Sequence, residues 1–211
     1  IVENGVSYEI DPRAGHKTGF YLDQRENRRL VAEHAKGRRV LDLFCYTGGF
    51  ALNALKCGGA AYAMGVDSSA HAIELARRNA VANQVGHARF EAVDVFAVLG
   101  GLRGSGERFG LVVCDPPKFA QRSQTVDEAL KGYRKLNRAA LDVLEPDGLL
   151  VTCSCSGHVD ATLFAQVLGE VAAASGRTIQ ILDRRGAAAD HPVSASCLES
   201  AYLKCFLCRV G

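Results

Sequence analysis

The stretch Val40-Leu-Asp-Leu-Phe-Cys-Tyr-Thr-Gly-Gly-Phe50 decides the fold class of this chain. An apolar run with one embedded acid leads directly into a pair of glycines, which is typical of a buried strand, a tight turn and a helix. A second apolar run, residues 111–114, ends in Asp115 and two prolines. The two stretches predict an α/β sheet that holds a nucleotide-like cofactor at the carboxyl ends of its strands.

The same alternation of strand and helix patterns continues over most of the chain. Helices are predicted at residues 23–36, 50–57, 70–83, 126–144 and 159–174, with a short one ending near residue 102. Strands are predicted at residues 38–44, 61–66, 88–92, 109–114, 149–153, 177–184 and 201–210. Repeated strand–helix units that close with a strand pair predict a Rossmann-like, seven-stranded, mostly parallel sheet with an antiparallel C-terminal strand.

The first 22 residues stand outside this alternation. Residues 2–10 are predicted to form a short strand, and residues 16–21 a loop. We therefore expect residues 1–22 to be an extension laid against a single domain formed by residues 23–211. Because the chain begins with Ile1 and shows no secretory signal, it is interpreted as a fragment of a longer protein.

The composition argues against several classes of protein. The 25 basic and 23 acidic side chains give a formal net charge of only +2, which does not by itself indicate nucleic-acid binding. No window approaches the roughly 18 apolar residues that a membrane span needs. Most of the eight cysteines lie in or beside apolar runs, which predicts reduced thiols in the cytoplasm rather than disulfides. Cys205-x-x-Cys208 has no second pair, and no metal site is predicted.

Acids at the ends of successive strands bear on the choice of cofactor. Asp67 follows Gly48 by 19 residues and can accept hydrogen bonds from both ribose hydroxyls of an adenosine, whether in NAD or in S-adenosylmethionine. The turn departs from the G-x-G-x-x-G of dinucleotide sites, because Tyr46 stands where the first glycine would be. Asp42 would repel a pyrophosphate but could pair with the ammonium of a methionine moiety. The turn therefore favours S-adenosylmethionine.

A further acid, Asp94, stands with Val95 at the end of the third strand, where it could receive an adenine amino group. Three strand-end acids suit a cationic sulfonium cofactor better than an anionic dinucleotide. An alternative stays open at this point, because Asp67 and Asp94 could each simply cap the helix that follows.

The motif Asp115-Pro-Pro-Lys-Phe119 resembles the D/N-P-P-x-F/Y loop of class I S-adenosylmethionine-dependent methyltransferases that act on nucleobases. More closely, the chain resembles the RlmI-like 23S rRNA (cytosine-5)-methyltransferases in six motifs spread in order over nearly its whole length. The motifs are Lys17-Thr-Gly-Phe-Tyr-Leu-Asp-Gln-Arg25, Phe44-Cys-Tyr-Thr-Gly-Gly-Phe50, Asp115-Pro-Pro-Lys-Phe119, Ser154-Cys-Ser-Gly157, Ala189-Asp-His-Pro192 and Tyr202-Leu-Lys204.

This resemblance implies a class I methyltransferase fold, S-adenosylmethionine as cofactor, 23S rRNA or a large-subunit precursor as partner, and a cytoplasmic location. Members of the family usually carry an N-terminal PUA-type RNA-binding domain, which would precede residue 1. The oligomeric state stays open, a homodimer being one alternative. Together with the strand-end acids, the resemblance implies these cofactor-binding residues: Gln24, Asp42, Phe44, Tyr46, Thr47, Gly48, Asp67, Ser68, Asp94, Val95 and Asp115. Arg25 and Arg28 resemble family residues at the cofactor entrance, or are ordinary surface charges.

The implied reaction needs a reactive thiol, because carbon 5 of cytosine becomes nucleophilic only after a thiolate adds to carbon 6. Cys155 is predicted to be that nucleophile, since it aligns with the family's Ser-Cys-Ser-Gly motif. Cys153 is the alternative, but it is expected within the strand end, and only an accessible thiol ionises readily. Asp115 is predicted to hold the N3 and N4 edge of the base.

The remaining predicted substrate residues are Pro116, Pro117, Lys118, Phe119 and His191. The prolines would fix the loop, and Phe119 could stack on a flipped base. Lys118 would contact phosphate or be merely solvated, and His191 would remove the carbon 5 proton or have a structural role. The rival hypotheses are a guanine-N methyltransferase, which needs no cysteine, a non-catalytic RNA-binding relative, and a nicotinamide oxidoreductase.

Overall fold

The computed structural model describes residues 1–13, 19–119 and 126–211. Its strands are β1 (Val2–Glu3), β2 (Val6–Ser7), β3 (Arg39–Leu43), β4 (Tyr62–Asp67), β5 (Ala88–Ala92), β6 (Phe109–Cys114), β7 (Leu144–Ser154), β8 (Ile179–Arg185) and β9 (Lys204–Val210). Its helices are α1 (Arg25–Glu33), α2 (Gly49–Lys56), α3 (Ala70–Ala82), α4 (Val95–Ser105), α5 (Val126–Leu141) and α6 (Ala161–Ser175).

Seven strands form the main sheet, in the order β5-β4-β3-β6-β7-β9-β8. Strands β3 to β7 pair in parallel, whereas β9 lies between β7 and β8 and is antiparallel to both. The predicted seven-stranded, mostly parallel sheet with an antiparallel C-terminal strand is therefore confirmed. The strand order reverses between β3 and β6, and open α/β sheets bind their ligands at such a switch point.

Two apolar layers cover the faces of the sheet. Val40 and Leu111 belong to the layer that contains residues of α1, α2 and α3. Their neighbours Leu41 and Val112 belong to the opposite layer, with residues of α4, α5 and α6. Successive strand side chains point to opposite faces, so a run that is buried on both faces reads as continuously apolar. With both faces covered, the carboxyl ends of the strands are left as the edge where a site can form.

The N-terminal segment differs from its prediction as one short strand. It forms a hairpin in which Val2 pairs with Ser7 and Glu3 with Val6. Asn4 and Gly5 have φ angles of 52° and 79°, and a two-residue hairpin turn with both angles positive favours an Asn-Gly pair. The Asn-Gly signal was available in the sequence and outweighs the strand pattern. Residues 16–18 of the predicted loop lie outside the described residues.

The predicted helix over residues 126–144 is too long by three residues. Leu144 already belongs to β7, where it pairs with Phe109. The register then shifts so that Leu111 pairs with Leu149, and the Pro-Asp-Gly segment between forms a bulge with Asp147 at a φ of 56°. The turn signal that seemed to stop a helix therefore marks an irregularity inside a strand.

A buried ion pair ties the N-terminal hairpin to α1. Arg28 donates to both carboxylate oxygens of Glu3, at 2.6 and 2.9 Å, and each side chain is 4% exposed. The Arg28 guanidinium also donates to the Tyr21 carbonyl at 2.8 Å and lies 4.4 Å from the centre of the Phe20 ring. Arg28 is therefore not an ordinary surface charge.

We expect Arg28→Met to lower the free energy of unfolding by about 3–5 kcal/mol, because it leaves the Glu3 carboxylate buried without its partner. The double variant Glu3→Leu/Arg28→Met should recover much of that loss, since it removes both charges. Urea denaturation of both variants measures the difference. If the unfolding free energy of Arg28→Met lay within about 1 kcal/mol of the wild-type value, this would contradict a desolvated ion pair.

Candidate active site

A cavity of about 460 Å³ opens where the carboxyl ends of β3, β4, β6 and β7 meet. Its volume falls within the range of small-molecule sites in proteins. The predicted residues on its wall are Gln24, Arg28, Phe44, Tyr46, Thr47, Asp67, Ser68, Asp115, Pro116, Pro117, Lys118 and Cys155, whereas the predicted Gly48 is not on the wall. The wall also includes residues that the sequence did not indicate, namely Phe20, Tyr21, Asp23, Cys45, Gly49, Phe50, Tyr202 and Leu203.

The turn between β3 and α2 has an unusual backbone. Phe44 and Tyr46 have φ angles of 63° and 49°, a region that side chains larger than glycine rarely adopt. Gly48, which precedes α2, has a φ of 83°. The Tyr46 N–H donates to Asp67 Oδ2 at 3.0 Å, which holds the turn against the end of β4. Backbone strain of this kind concentrates at ligand sites.

Asp67 and Asp94 have different roles in the structure. Asp67 lines the cavity, and Ser69 takes the N-cap position of α3 by accepting from the Ala72 N–H at 3.2 Å. The N-cap alternative is therefore wrong for Asp67. Asp94 does cap α4, because its carboxylate accepts from the Ala97 N–H at 2.9 Å. Asp94 lies outside the cavity wall, and the adenine contact proposed for it and for the buried Val95 stays a prediction.

Asp42 is fully buried beneath the turn and does not reach the cavity wall. One carboxylate oxygen accepts from the Ala51 N–H at 2.9 Å, and among the described residues the other has no hydrogen-bond partner. Burial raises the pKa of Asp42 to about 8, so the carboxyl group is protonated at neutral pH. The predicted pairing of Asp42 with a ligand ammonium stays a prediction.

The raised pKa of Asp42 predicts a pH-dependent stability. The folded-state pKa lies above the ordinary value of 3.8. The protonated group therefore stabilises the fold fully below pH 4, and this contribution is lost progressively as the pH rises from about 4 through 8. Asp42→Asn removes the titration. Between pH 5 and pH 8 we expect wild type to lose about 2 kcal/mol or more of unfolding free energy relative to the variant. Urea denaturation at the two pH values measures this difference. An unfolding free energy that changes equally in wild type and Asp42→Asn would contradict the prediction.

Gln24 orients the carboxylate of Asp115. Gln24 Nε2 donates to Asp115 Oδ2 at 2.9 Å, across 91 residues of sequence. Asn27 in turn donates to Gln24 Oε1 at 2.6 Å and to the Gly186 carbonyl at 3.1 Å. Asn27, one helical turn after Gln24, was missed from the sequence because its partner at residue 186 is far along the chain. The chain of contacts fixes Asp115 in one orientation.

The two candidate nucleophiles occupy different environments. Cys153 is fully buried inside β7, directly opposite Cys205 of β9. The contact with Cys205 and burial raise the pKa of the Cys153 thiol well above its ordinary value. Cys155 lies one residue beyond the end of β7, half-buried on the cavity wall. Because a thiol must be accessible to ionise and react, the geometry favours Cys155.

The Asp-Pro-Pro loop places some of its predicted residues at the cavity. Pro116, Pro117 and Lys118 line it, whereas Phe119 packs edge-to-face on Tyr133 with ring centres 4.9 Å apart. Phe119 therefore lies outside the cavity wall, and its stacking on a base stays a prediction. Residues 120–125, which follow, lie outside the described part of the chain.

His191 is likewise not on the wall of this cavity. Its Nδ1 lies 3.2 Å from the carboxylate of Asp190, which also accepts from Arg25 at 3.0 Å. His191 borders a separate cavity of about 180 Å³ formed by the loop between β8 and β9. Arg25 therefore attaches that loop to α1 instead of lining the cofactor entrance.

Asp23 and Tyr202 form an unpredicted contact on the cavity wall. The Tyr202 hydroxyl donates to Asp23 Oδ2 at 2.6 Å. Burial, followed by the bond to Asp23, raises the pKa of Tyr202, so its phenol stays a donor over the neutral range. Burial and the nearby Asp115 carboxylate raise the pKa of Tyr21 to about 12. Both tyrosines lie in motifs quoted above, but a motif alone gives no role to each residue.

Two further observations concern what the described residues contain. In residues 1–13, 19–119 and 126–211, no three His, Cys, Asp or Glu side chains are grouped to hold a metal ion. Within the same ranges, none of the helices combines the length and the apolar character that crossing a membrane requires.

The sheet order and the cavity at its strand ends define a class I methyltransferase fold. The family described as S-adenosylmethionine-dependent methyltransferase matches residues 1–209, and the chain belongs to this family. S-adenosylmethionine is its cofactor. The cavity fits that group, because Asp67 offers a carboxylate beside the apolar rings of Phe44 and Phe50.

Relatives and solved structures cover the whole chain. A Tolumonas auensis protein named Ribosomal RNA large subunit methyltransferase I is 46% identical over 98% of this chain and 52% of its own length. The protein of that name from Photobacterium profundum is 45% identical over 100% of this chain and 53% of its own. SMU.776, assigned as a methyltransferase and solved with SAH, has a TM-score of 0.88 at 29% identity, over 99% of this chain and 55% of that chain. The chain thus spans about half the length of these proteins.

Proposed function

We propose that the protein methylates carbon 5 of a cytidine in 23S rRNA or a large-subunit precursor, through a covalent adduct with Cys155. The observation that carries the proposal is that Cys155 and Asp115 line one cavity, at the ends of the neighbouring parallel strands β7 and β6. Both side chains can therefore reach a single base. The names of the curated relatives support a ribosomal RNA substrate. Such a substrate places the enzyme in the cytoplasm.

The Cys155 thiolate begins the reaction by adding to carbon 6 of the base. The new S–C6 bond moves the C5=C6 electron pair to carbon 5, which becomes nucleophilic. S-adenosylmethionine supplies the electrophilic methyl group when it is bound. Loss of the carbon 5 proton to water then restores the double bond, and the electron pair of the S–C6 bond returns to Cys155 as thiolate.

Asp115 holds the base in the proposed reaction. Its carboxyl group faces the N3 and N4 edge of the cytosine, where a proton on N3 would draw electrons from the ring as the thiolate adds. Gln24 Nε2 donates to Asp115 Oδ2 at 2.9 Å and so orients the carboxyl group for the base. Pro116 and Pro117 fix the backbone that follows, so that its carbonyls can accept from the exocyclic amine.

The residues proposed to hold S-adenosylmethionine lie on the other side of the cavity. Asp67 accepts the ribose hydroxyls, since its carboxylate has lone pairs beyond those used by the Tyr46 and Ser69 N–H groups. Phe44 and Thr47 contribute the turn that borders the methionine moiety. Lys118, exposed at the rim, contacts RNA phosphate.

The test is methyl transfer by the full-length protein from S-adenosylmethionine with a labelled methyl group to unmodified 23S rRNA. Free rRNA and assembled large subunits are compared, and the product is digested to nucleosides. We expect the label in 5-methylcytidine. Label in a methylguanosine would overturn the cytosine assignment and favour the guanine-N rival, and no transfer to either substrate would favour the non-catalytic one.

A further inference from the structure

Lys204 is a buried lysine that the reaction above does not use. It is the first residue of β9, pairs opposite Ser154 in β7, and is 5% exposed. Within the described residues its ammonium donates to the carbonyls of Ser156 and Tyr202, the latter at 2.7 Å. Lysine is almost never so buried without a partner of opposite charge.

The two carbonyls belong to two segments that each contribute a residue to the cavity wall. Ser156 follows Cys155 directly, and Tyr202 is itself on the cavity wall. Lys204 therefore contacts the strand residue before Cys155 and the backbone of the residue after it. Carbonyl oxygens are neutral, so they satisfy N–H donors without cancelling the positive charge. A net positive charge therefore remains within electrostatic range of Cys155.

The electrostatics of Lys204 agree with this placement. Burial lowers the pKa of Lys204 to about 8, while the Cys155 sulfur and the Asp160 carboxylate oppose that shift. Lys204 is therefore still charged at neutral pH. A thiolate on Cys155 would raise the pKa of Lys204, because the negative charge favours the ammonium form.

We propose that Lys204 is a positioning residue that stabilises the thiolate of Cys155 and holds its backbone at the cavity wall. The catalytic value of that thiolate rests on the proposed function. Its ionisation, in which the thiol proton leaves to solvent, can be measured without methyl transfer.

Other titratable groups surround the same sulfur and act in different directions. They are Tyr21, Tyr133, Tyr202, Asp115 and Lys118. Burial raises the pKa of all three phenols, so they remain neutral in the relevant range. The Asp115 carboxylate opposes a thiolate, whereas the exposed Lys118 ammonium favours it only weakly because water screens its charge. Asp160, which also acts on Lys204, is exposed, so among these groups of the described residues Lys204 is the one whose charge is buried.

The experiment measures the rate of alkylation of Cys155 by iodoacetamide between pH 5.5 and 9.5 in the full-length protein, resolved by peptide mass spectrometry. In Lys204→Met we expect the midpoint of the rate–pH curve to rise by about one unit, and the rate at pH 7 to fall about tenfold. Lys204→Gln keeps an N–H donor but loses the charge, and should shift the midpoint equally. Lys204→Arg keeps the charge and should shift it by less than half as much.

Lys131→Met is the matched control, because it removes an exposed lysine of α5 and makes the same change in net charge. It should leave the midpoint in place, and the exposed Cys57 and Cys197 should alkylate alike in every variant. A Cys155 midpoint unmoved in folded Lys204→Met or Lys204→Gln would overturn the inference and leave Lys204 a structural brace. If the Cys155 midpoint shifts in Lys204→Met and Lys204→Gln but the wild-type protein makes no 5-methylcytidine, the inference is upheld and the proposed function is wrong.

Discussion

Replacing Cys155 by alanine should lower methyl transfer to cytidine by on the order of 10⁴-fold or more, because it removes the thiolate proposed to add to carbon 6. Cys155 is half-buried on the cavity wall, so its loss should leave the fold and S-adenosylmethionine binding unchanged. The measurement is single-turnover transfer of a labelled methyl group, with thermal unfolding and calorimetric binding of S-adenosylhomocysteine as checks.

Cys153→Ala is the matched control. Its side chain is fully buried against Cys205, so we expect a loss of stability from the cavity but activity within about tenfold of wild type. An inactive Cys153→Ala beside an active Cys155→Ala would reverse the assignment of the nucleophile.

The second large effect is expected for Asp115→Asn, which should lower kcat by about 10²–10⁴-fold. The substitution keeps the size of the side chain but removes the carboxyl group that assists protonation of N3. Affinity for S-adenosylhomocysteine should fall by less than about tenfold, because Asp67 makes the ribose contacts in this account. Single-turnover kinetics separate the chemical step from binding.

Gln24→Leu gives an intermediate comparison. It removes the 2.9 Å hydrogen bond that orients Asp115 while leaving the carboxyl group in place, and it should cost about tenfold in kcat. Asp127→Asn, an exposed acid of α5, should be neutral. Activity in Asp115→Asn equal to that of Asp127→Asn would contradict a role for Asp115 in the chemistry.

The sequence predicted the sheet well because its strands are short apolar runs separated by helical periods. The run before Asp42 and the run before Asp115 could only be buried between two helical layers, and the structure has them there. Boundaries were less accurate where a local signal has two readings. Pro146-Asp-Gly148 reads as a helix stop but forms a bulge, and Asn4-Gly5 forms a hairpin turn inside a segment predicted as one strand.

The sequence predicted which strand-end residues lie at the site better than it predicted the side-chain contacts between distant segments. Residues at or just after strand ends, such as Asp67, Asp115 and Cys155, share a cavity because parallel strands end at one edge. The contacts Gln24–Asp115 and Asp23–Tyr202 join residues far apart in sequence, and no local pattern specifies them. Asp94 and Asp67 looked equivalent in the sequence, and only the position of Ser69 distinguishes a helix cap from a cavity residue.

The most direct test of the account is to trap the covalent adduct. An RNA substrate with 5-fluorocytidine at the target position has no proton to lose from carbon 5, so the S–C6 bond should persist after methylation. We predict a stable complex of protein and RNA in denaturing gels, with the RNA attached to the peptide that contains Cys155, and no complex in Cys155→Ala. Full methylation of normal RNA with no trapped complex, or a complex that survives in Cys155→Ala, would contradict the thiolate mechanism.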